Sequence, residues 1–210
     1  MRNHRQWRIA ISLLIPVALV AVPAAAQQPP APAPAKPKPA PKPKPAAPAT
    51  AAPAAKPAAV GGAKPTLLGQ YGDWGAYTAL PGGKKVCFAI AKPSSAVTDP
   101  PGRPRNPVYM FISTRPAEKV TNEVSIIIGY PFKPGSEASV DVGSTSFALY
   151  TQQDGAWIKN STEEAHMVDT MRGGQTAVVK GMSAKGTKTS DTYSLKGLSQ
   201  ALDRTAQDCK

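Results

Sequence analysis

The sequence holds little of the side-chain chemistry on which catalysis at neutral pH usually depends. Of its 210 residues, two are histidine and two are cysteine. His4 lies in an N-terminal stretch with the marks of an export signal, which leaves His166 as the imidazole of the remaining chain. A histidine-based general base, nucleophile pair or zinc site would have to be built on it. Glu163 and Asp169, at i−3 and i+3, share a helical face with His166, but one imidazole and two carboxylates on a single helix make a thin ligand set. A solvated polar face is the expectation there, and no metal site is assigned. The chain has no C-x-x-C, G-x-S-x-G, H-E-x-x-H, Walker loop or G-x-G-x-x-G. Its carboxylates stand singly, apart from Glu163-Glu164, and adjacent helix residues do not converge on one substrate. A protein without catalytic residues or cofactor is the expectation. The rival is an enzyme acting on an extracellular polymer, which needs converging acids. Its candidates are Asp73, Asp141, Glu163 and Asp169.

Acidic residues are also missing from residues 27–65, where six lysines stand: Lys36, Lys38, Lys42, Lys44, Lys56 and Lys64. With Arg2, Arg5 and Arg8 they supply most of the formal net charge of +12. A pI near 9.8 suggests nucleic acid on its face. The distribution argues against that partner, because the excess charge lies in two segments that carry no folding pattern.

The first of these segments, residues 1–26, has a basic start, an apolar run broken by Pro16, and Ala24-Ala25-Ala26 as a small-residue cleavage site. This reads as a signal peptide, with an uncleaved membrane anchor as the alternative. Either reading puts the rest of the chain outside the cytoplasm, in the periplasm or at the outer membrane or cell surface. Membrane association would then be peripheral, or through the uncleaved segment.

The second segment, residues 27–65, is rich in proline, alanine and lysine. Proline removes backbone donors and fixes φ, so helix and sheet are both blocked. A disordered linker of polyproline II character is expected, and residues 29–58 would reach roughly 90 Å. It serves as a spacer, and Lys36, Lys38, Lys42 and Lys44 give it a weak, salt-screened attraction for an anionic envelope surface.

Residues 66–210 change character. Short apolar runs alternate with turn residues and predict about eight or nine antiparallel strands, in a sandwich or partly closed barrel. Gly82-Gly83 and Gly143-Ser144 mark hairpins. Val124, Ile126, Ile128 and Tyr130 share one strand face. Two short helices are expected. The first has Ser161 as N-cap, Glu164 as its capping-box partner, an inner stripe of Ala165, Val168 and Met171, and Gly173 as its stop. The second is C-terminal, with Leu198, Ala201, Leu202, Thr205 and Cys209 on one face. In "KVCFAIA", Val86, Phe88 and Ile90 point one way while Cys87, Ala89 and Ala91 point the other. The small residues leave room for a helix. An oxidising compartment lets the two cysteines pair, so the last helix is expected to lie on that face, fastened by Cys87–Cys209.

Two further features have a functional reading. The proline-dense stretch 92–107 is expected as a stiff exposed loop, with Arg103 and Arg105 offered to an acidic partner. Trp74 and Trp157 are candidates for a carbohydrate platform, against the expectation of core or half-buried strand positions.

The stretches "YGDWGAY", "GGKKVCFAIAKP", "YMFISTRPAEKVTNEVSIIIGYPFKPGS", "FALYTQQDGAWIKN" and "DTYSLKGLSQALDRTAQDC" together resemble the invasion-associated locus B family of bacterial envelope proteins. The resemblance covers nearly all of residues 70–209 and both cysteines. It implies an exported all-β domain from a Gram-negative bacterium, with founding members linked to invasion of host cells. It supplies no catalytic residues. The expected partner is an anionic envelope surface, or an envelope or host-surface protein, with a purely structural scaffold as a further alternative.

Overall fold

A computed structural model describes residues 61–210 of the chain. Eleven strands form one antiparallel sheet, and two α-helices pack against it. The chain therefore belongs to the all-β class, with its second helix C-terminal. In order the strands are β1 (Thr66–Tyr71), β2 (Trp74–Ala79), β3 (Val86–Ala91), β4 (Ser95–Asp99), β5 (Tyr109–Arg115), β6 (Val120–Ile127), β7 (Ala138–Val142), β8 (Thr145–Gln152), β9 (Gly155–Trp157), β10 (Thr176–Met182) and β11 (Lys188–Ser194). The helices are α1 (Ser161–Gly173) and α2 (Leu198–Asp208).

The spatial order is β1-β2-β3-β5-β6-β9-β8-β7-β10-β11-β4. Strand β8 joins the two halves. Its first part, through Leu149, pairs with β7, and its second part, from Tyr150, pairs with β9. Side chains from both halves meet in one core, including Trp74, Met110, Ile112 and Ile126 from the first and Val140, Leu149, Val179 and Tyr193 from the second. The sheet bends around this core without closing, because β1 and β4 do not pair with each other. The far end of β11 nonetheless meets the β1–β2 turn. The Trp74 indole N–H donates to the Ser194 carbonyl at 2.9 Å, and Asp73 N–H reaches the Lys196 carbonyl at 3.4 Å. Gly197 makes this approach possible, since a Cβ there would sit 1.9 Å from the Tyr71 carbonyl oxygen.

Both expected hairpins form. At Gly143-Ser144 only the glycine takes a positive φ, 58°, as a turn with its special residue in first place requires. Two strands exceed the sequence expectation. β1 precedes the first apolar run, and β4 lies inside the stretch expected to be an exposed loop. Ser95–Asp99 pairs with β11 over its whole length, so the prolines confine the strand instead of abolishing it. An edge strand donates to one neighbour only, which suits a run flanked by Pro93 and Pro100.

Helix α1 also corrects the sequence reading. Its N-cap is Asn160, whose Oδ1 accepts the Glu163 N–H at 2.8 Å while its amide donates to Glu163 Oε2 at 3.1 Å. The capping box thus sits one residue earlier than Ser161 and Glu164. Glu164, released from capping, turns inward and accepts the buried Val124 N–H of β6 at 2.7 Å. The inner stripe rotates with it: Met167, Val168 and Met171 are buried and Ala165 is exposed. Helix α2 keeps its expected face, with Leu198, Ala201, Leu202 and Thr205 buried against β1, β2 and β3. Cys87 and Cys209 are bonded, with Cα atoms 5.9 Å apart and a separation of 122 positions in sequence. Lys85 ties the same corner from outside, reaching both the carbonyl and, at 3.1 Å, the carboxylate of Asp208.

Candidate functional site

Helix α2 covers the inner face of β2, β3 and β5, where Ala76, Cys87 and Ala89 lie. The outer face of the same strands carries larger side chains. Direct cross-strand pairing sets Tyr77 beside Phe88, Ile90 beside Phe111, Tyr109 beside Ile127, Ser125 beside Trp157, and Trp157 beside Tyr150. Paired residues share a face, so aromatic side chains from β2, β3, β5, β9 and β8 lie on it, with Ser125 and Ile127 of β6 between the two groups.

The rings lie along the sheet. Tyr77 and Phe88 are stacked, with centroids 5.6 Å apart. Phe88 meets Phe111, and Phe111 meets Tyr109, each at 5.9 Å. Lys92 Nζ stands 5.7 Å above the Tyr109 ring, within cation–π range. Two glycines make the flat arrangement possible. A Cβ on Gly75 would come within 2.6 Å of the Tyr77 ring, and one on Gly155 within 2.1 Å of the Trp157 ring. Trp157 stacks on Tyr150 at 5.7 Å with 29° between the planes, and Tyr150 is 39% exposed. Together they form a shelf open to solvent.

Beside the shelf, a groove of about 470 Å³ is lined by residues that include Pro81, Phe88, Phe111, Glu118, Glu123 and Ile127. Its polar end is an ion cluster. Arg115 donates to Glu123 at 2.7 and 3.2 Å and to Glu118 at 2.6 Å. The bonds to Glu123 first, and then to Glu118, hold the guanidinium well above its ordinary pKa. Two carboxylates thus share one guanidinium.

The outer face of the other half-sheet has a different chemistry. A wider depression of about 660 Å³ there is lined by residues such as Ser139, Ser146, Ala148, Lys180, Thr189 and Ser190. Among the described residues no aromatic ring lines it. Beside it Asp141 pairs with Lys180 at 2.7 Å and accepts from Ser146 at 2.6 Å, and these bonds, Lys180 first, lower the Asp141 carboxyl below its usual value. Volume favours this depression. Of the two, the first half-sheet combines flat rings with a groove and a cluster of charges, and it is the better site for recognition.

The other residues singled out from sequence fall as follows. Arg103 is exposed in the segment after β4. Arg105 turns inward instead. It forks onto the fully buried Asp191 of β11, and its own side chain is 9% exposed. Burial pushes the Asp191 carboxyl up, and Arg105 pulls it back. Arg105 is thereby committed to the fold. Trp74 is wholly buried, and Trp157 is half-buried on the shelf. His166 is exposed and meets Phe147 edge-on at 5.4 Å. Asp73 lies in the β1–β2 turn, Asp141 on β7, and Glu163 and Asp169 on α1. The depression on the second half-sheet is lined by two other acids, Asp99 and Glu137, the latter paired with Lys159 at 3.5 Å. Among the described residues no group of three or more His, Cys, Asp or Glu side chains is placed to hold a metal, and no helix is long and apolar enough to cross a membrane. Lys36, Lys38, Lys42 and Lys44, like the signal reading of residues 1–26, lie outside the described residues.

Sequence reading misses the aromatic groups as units. Their signal is present as Tyr77, Phe88, Tyr109, Phe111, Tyr150 and Trp157 on alternating strand positions. Only the register between strands shows which rings adjoin.

Fold and site define an all-β domain, fastened by one disulfide, that presents the exposed Tyr150 and half-buried Trp157 rings on an outer sheet face. The chain belongs to the invasion associated locus B (IalB) protein family, whose model matches residues 76–206, from within β2 to within α2. A search of curated proteins and a search of solved structures each returned no match.

Proposed function

We propose that this protein is an exported, non-catalytic component of the bacterial cell envelope that binds a polysaccharide of the envelope or of a host surface through the Tyr150–Trp157 shelf. The observation that carries this reading is the shelf itself: two stacked rings laid on a glycine, one of them 39% exposed, on a strand pair over which no helix of the described residues lies. Flat aromatic faces attract the C–H faces of sugar rings, while the phenol and indole retain a polar handle. The family description links its members with invasion, and attachment to a surface glycan is a role consistent with it. Asp73 in the β1–β2 turn and Asp141 on β7 lie on elements other than α1, which carries Glu163 and Asp169, and this separation favours binding over hydrolysis. Lys36, Lys38, Lys42 and Lys44 add a non-specific attraction that salt weakens.

The test is retention of the purified chain on lipopolysaccharide and on peptidoglycan, with Tyr150→Ala and Trp157→Ala compared with the unsubstituted chain. Retention on one of the two polymers that falls at least tenfold in both variants supports the reading. Equal retention of all three chains, or none by any, overturns it. Deleting residues 27–65 separates the contribution of the lysines, which is expected to vanish at high salt.

A further inference from the structure

The Tyr150–Trp157 shelf does not end at β8. Side chains alternate along a strand, so Ser146, Ala148 and Tyr150 share the outer face of β8. Ala148 opens a line across the second half-sheet. It pairs with Ser139 of β7, Ser139 with Lys180 of β10, Lys180 with Ser190 of β11, and Ser190 with Val97 of β4. Ala148, Ser139 and Ser190 are small, and Lys180 is drawn aside, its ammonium held by Asp141 at 2.7 Å. This line is the floor of the depression of about 660 Å³. Shelf and depression adjoin. Glu137, which lines the depression, bonds at 3.5 Å to Lys159, two residues past Trp157. The Thr151 hydroxyl, next to Tyr150, donates to the Ser136 carbonyl at 2.8 Å.

We infer that shelf and depression are one trough, and that its ligand is an uncharged run of sugars, the backbone of peptidoglycan, stacked on Tyr150 and Trp157 and laid across Ala148, Ser139 and Ser190 toward β4. This rests on the proposed function and narrows it to one polymer. Three arguments converge on this occupant. The first is length. From β9 to β4 the trough crosses β8, β7, β10 and β11, about 24 Å at the strand spacing of a sheet, which suits a chain of sugars better than a single ring. The second is hydrogen bonding. The Ser139 and Ser190 hydroxyls are half-buried and bond to no other described residue. A hydroxyl both donates and accepts, as the hydroxyl and acetamido groups of a sugar do. The third is charge. The depression is lined by Asp99 and Glu137 and by Lys180 and Lys188, in equal number. Each has an opposite charge beside it: Lys180 has Asp141, Glu137 has Lys159, and Lys188 faces Asp99 in register. A phosphorylated or sulfated glycan would have to displace a carboxylate from its lysine. An uncharged sugar can donate to the carboxylate and accept from the ammonium while the pair stays intact. The sugars of peptidoglycan have this chemistry where peptide amidates their lactyl carboxyls, whereas lipopolysaccharide carries phosphate.

The experiment is retention of the full chain on peptidoglycan and on lipopolysaccharide in about 1 M sodium chloride, where charges attract only within about 3 Å. The unsubstituted chain is expected to stay on peptidoglycan and to leave lipopolysaccharide. Ser139→Ile and Ser190→Ile fill the floor of the trough without touching the shelf, and each is expected to lower retention on peptidoglycan at least tenfold. The buried Trp74 indole N–H resonance is expected to stay in place, which shows that the domain remains folded. The double variant Ser139→Ala, Ser190→Ala removes the hydroxyls without adding bulk, and a fall of at least threefold is expected of it even where an isoleucine variant fails to fold. Retention unchanged in the alanine variant, or in folded isoleucine variants, overturns the inference. So does release from peptidoglycan at this salt, or retention on lipopolysaccharide alone. If Tyr150→Ala and Trp157→Ala still abolish binding in those cases, the shelf acts by itself and the proposed function stands. Retention indifferent to the two shelf substitutions overturns both.

Discussion

Arg105 and Asp191 hold each other across 86 residues of sequence, with Nη1 2.9 Å from Oδ2 and the second nitrogen on Oδ1. The pair pins the proline-dense segment after β4 to the middle of β11. Removing one partner leaves the other charge buried and alone, which typically costs about 3–5 kcal/mol. Arg105→Ala is therefore expected to lower stability by that order in urea unfolding. The double variant Arg105→Met, Asp191→Leu is expected to recover most of the loss. Arg103→Ala, in the same segment but exposed, is expected to stay within about 0.5 kcal/mol of the unsubstituted chain. Equal effects at 103 and 105 would contradict the burial described for the pair.

Glu164 joins α1 to β6 through the Val124 N–H, and Val124 is wholly buried. Glu164→Ala leaves that donor unsatisfied, at a cost of about 1–3 kcal/mol, while Glu164→Gln keeps an acceptor and is expected to cost less. Burial raises the Glu164 pKa above its ordinary 4.5, against the pull of the Val124 bond. A raised carboxyl binds more protons folded than unfolded. Its contribution to stability is thus fullest below 4.5 and declines as pH rises through the folded value. Comparing unfolding free energies of the unsubstituted chain and Glu164→Gln across that range is expected to show this slope in the former only.

Asp141 behaves in the opposite sense. Lys180, followed by Ser146, lowers its pKa below 3.8. The stabilisation it brings is present above 3.8 and is lost as pH falls through the lower folded value. Lys180→Ala is expected to move the Asp141 titration, followed by carboxyl carbon shifts, up towards the ordinary value. The loss of stability is expected to be at most about 1 kcal/mol, because this is a surface pair. A titration unmoved by the substitution would show that the pair does not persist in solution.

The Cys87–Cys209 bond closes a loop across a sequence separation of 122. Chain-entropy arguments give such a loop nearly 5 kcal/mol, though real bridges more often contribute about 2–4 kcal/mol. Cys87→Ala with Cys209→Ala is expected to lower the unfolding free energy by the latter amount. Reducing agent is expected to act equally on the natural chain and not at all on the variant. Hydrogen exchange in α2 is expected to accelerate more than in α1, because α2 is the element the bond fastens.

The strands with clean alternation are legible in the residues themselves, and so is the link between β3 and α2. In both cases the signal is local: the small residues Ala89 and Ala91 beside Cys87, and the leucines of α2 on the side of Cys209. Other features depend on partners distant in sequence. Nothing within Ser95–Asp99 announces a strand until β11 is beside it. Arg105 reads as solvent-facing because its counter-charge lies 86 positions away. The N-cap of α1 falls one residue from its expected place because Ser161-x-x-Glu164 and Asn160-x-x-Glu163 are overlapping signals of similar quality. The buried N–H of Val124 decides between them. The aromatic groups have the same character, since each ring is visible in its own strand and their adjacency exists only in the register.

An antiparallel ladder that never closes leaves two lines of backbone groups facing outward, and such lines invite further strands. Here neither line is long enough or regular enough to recruit one. β4 offers five residues between Pro93 and the Pro100-Pro101 pair, and β1 breaks step between Leu67 and Gly69. Molecules crowded together would therefore pass one another without zippering into fibrils, while the Tyr150–Trp157 shelf stays open to solvent.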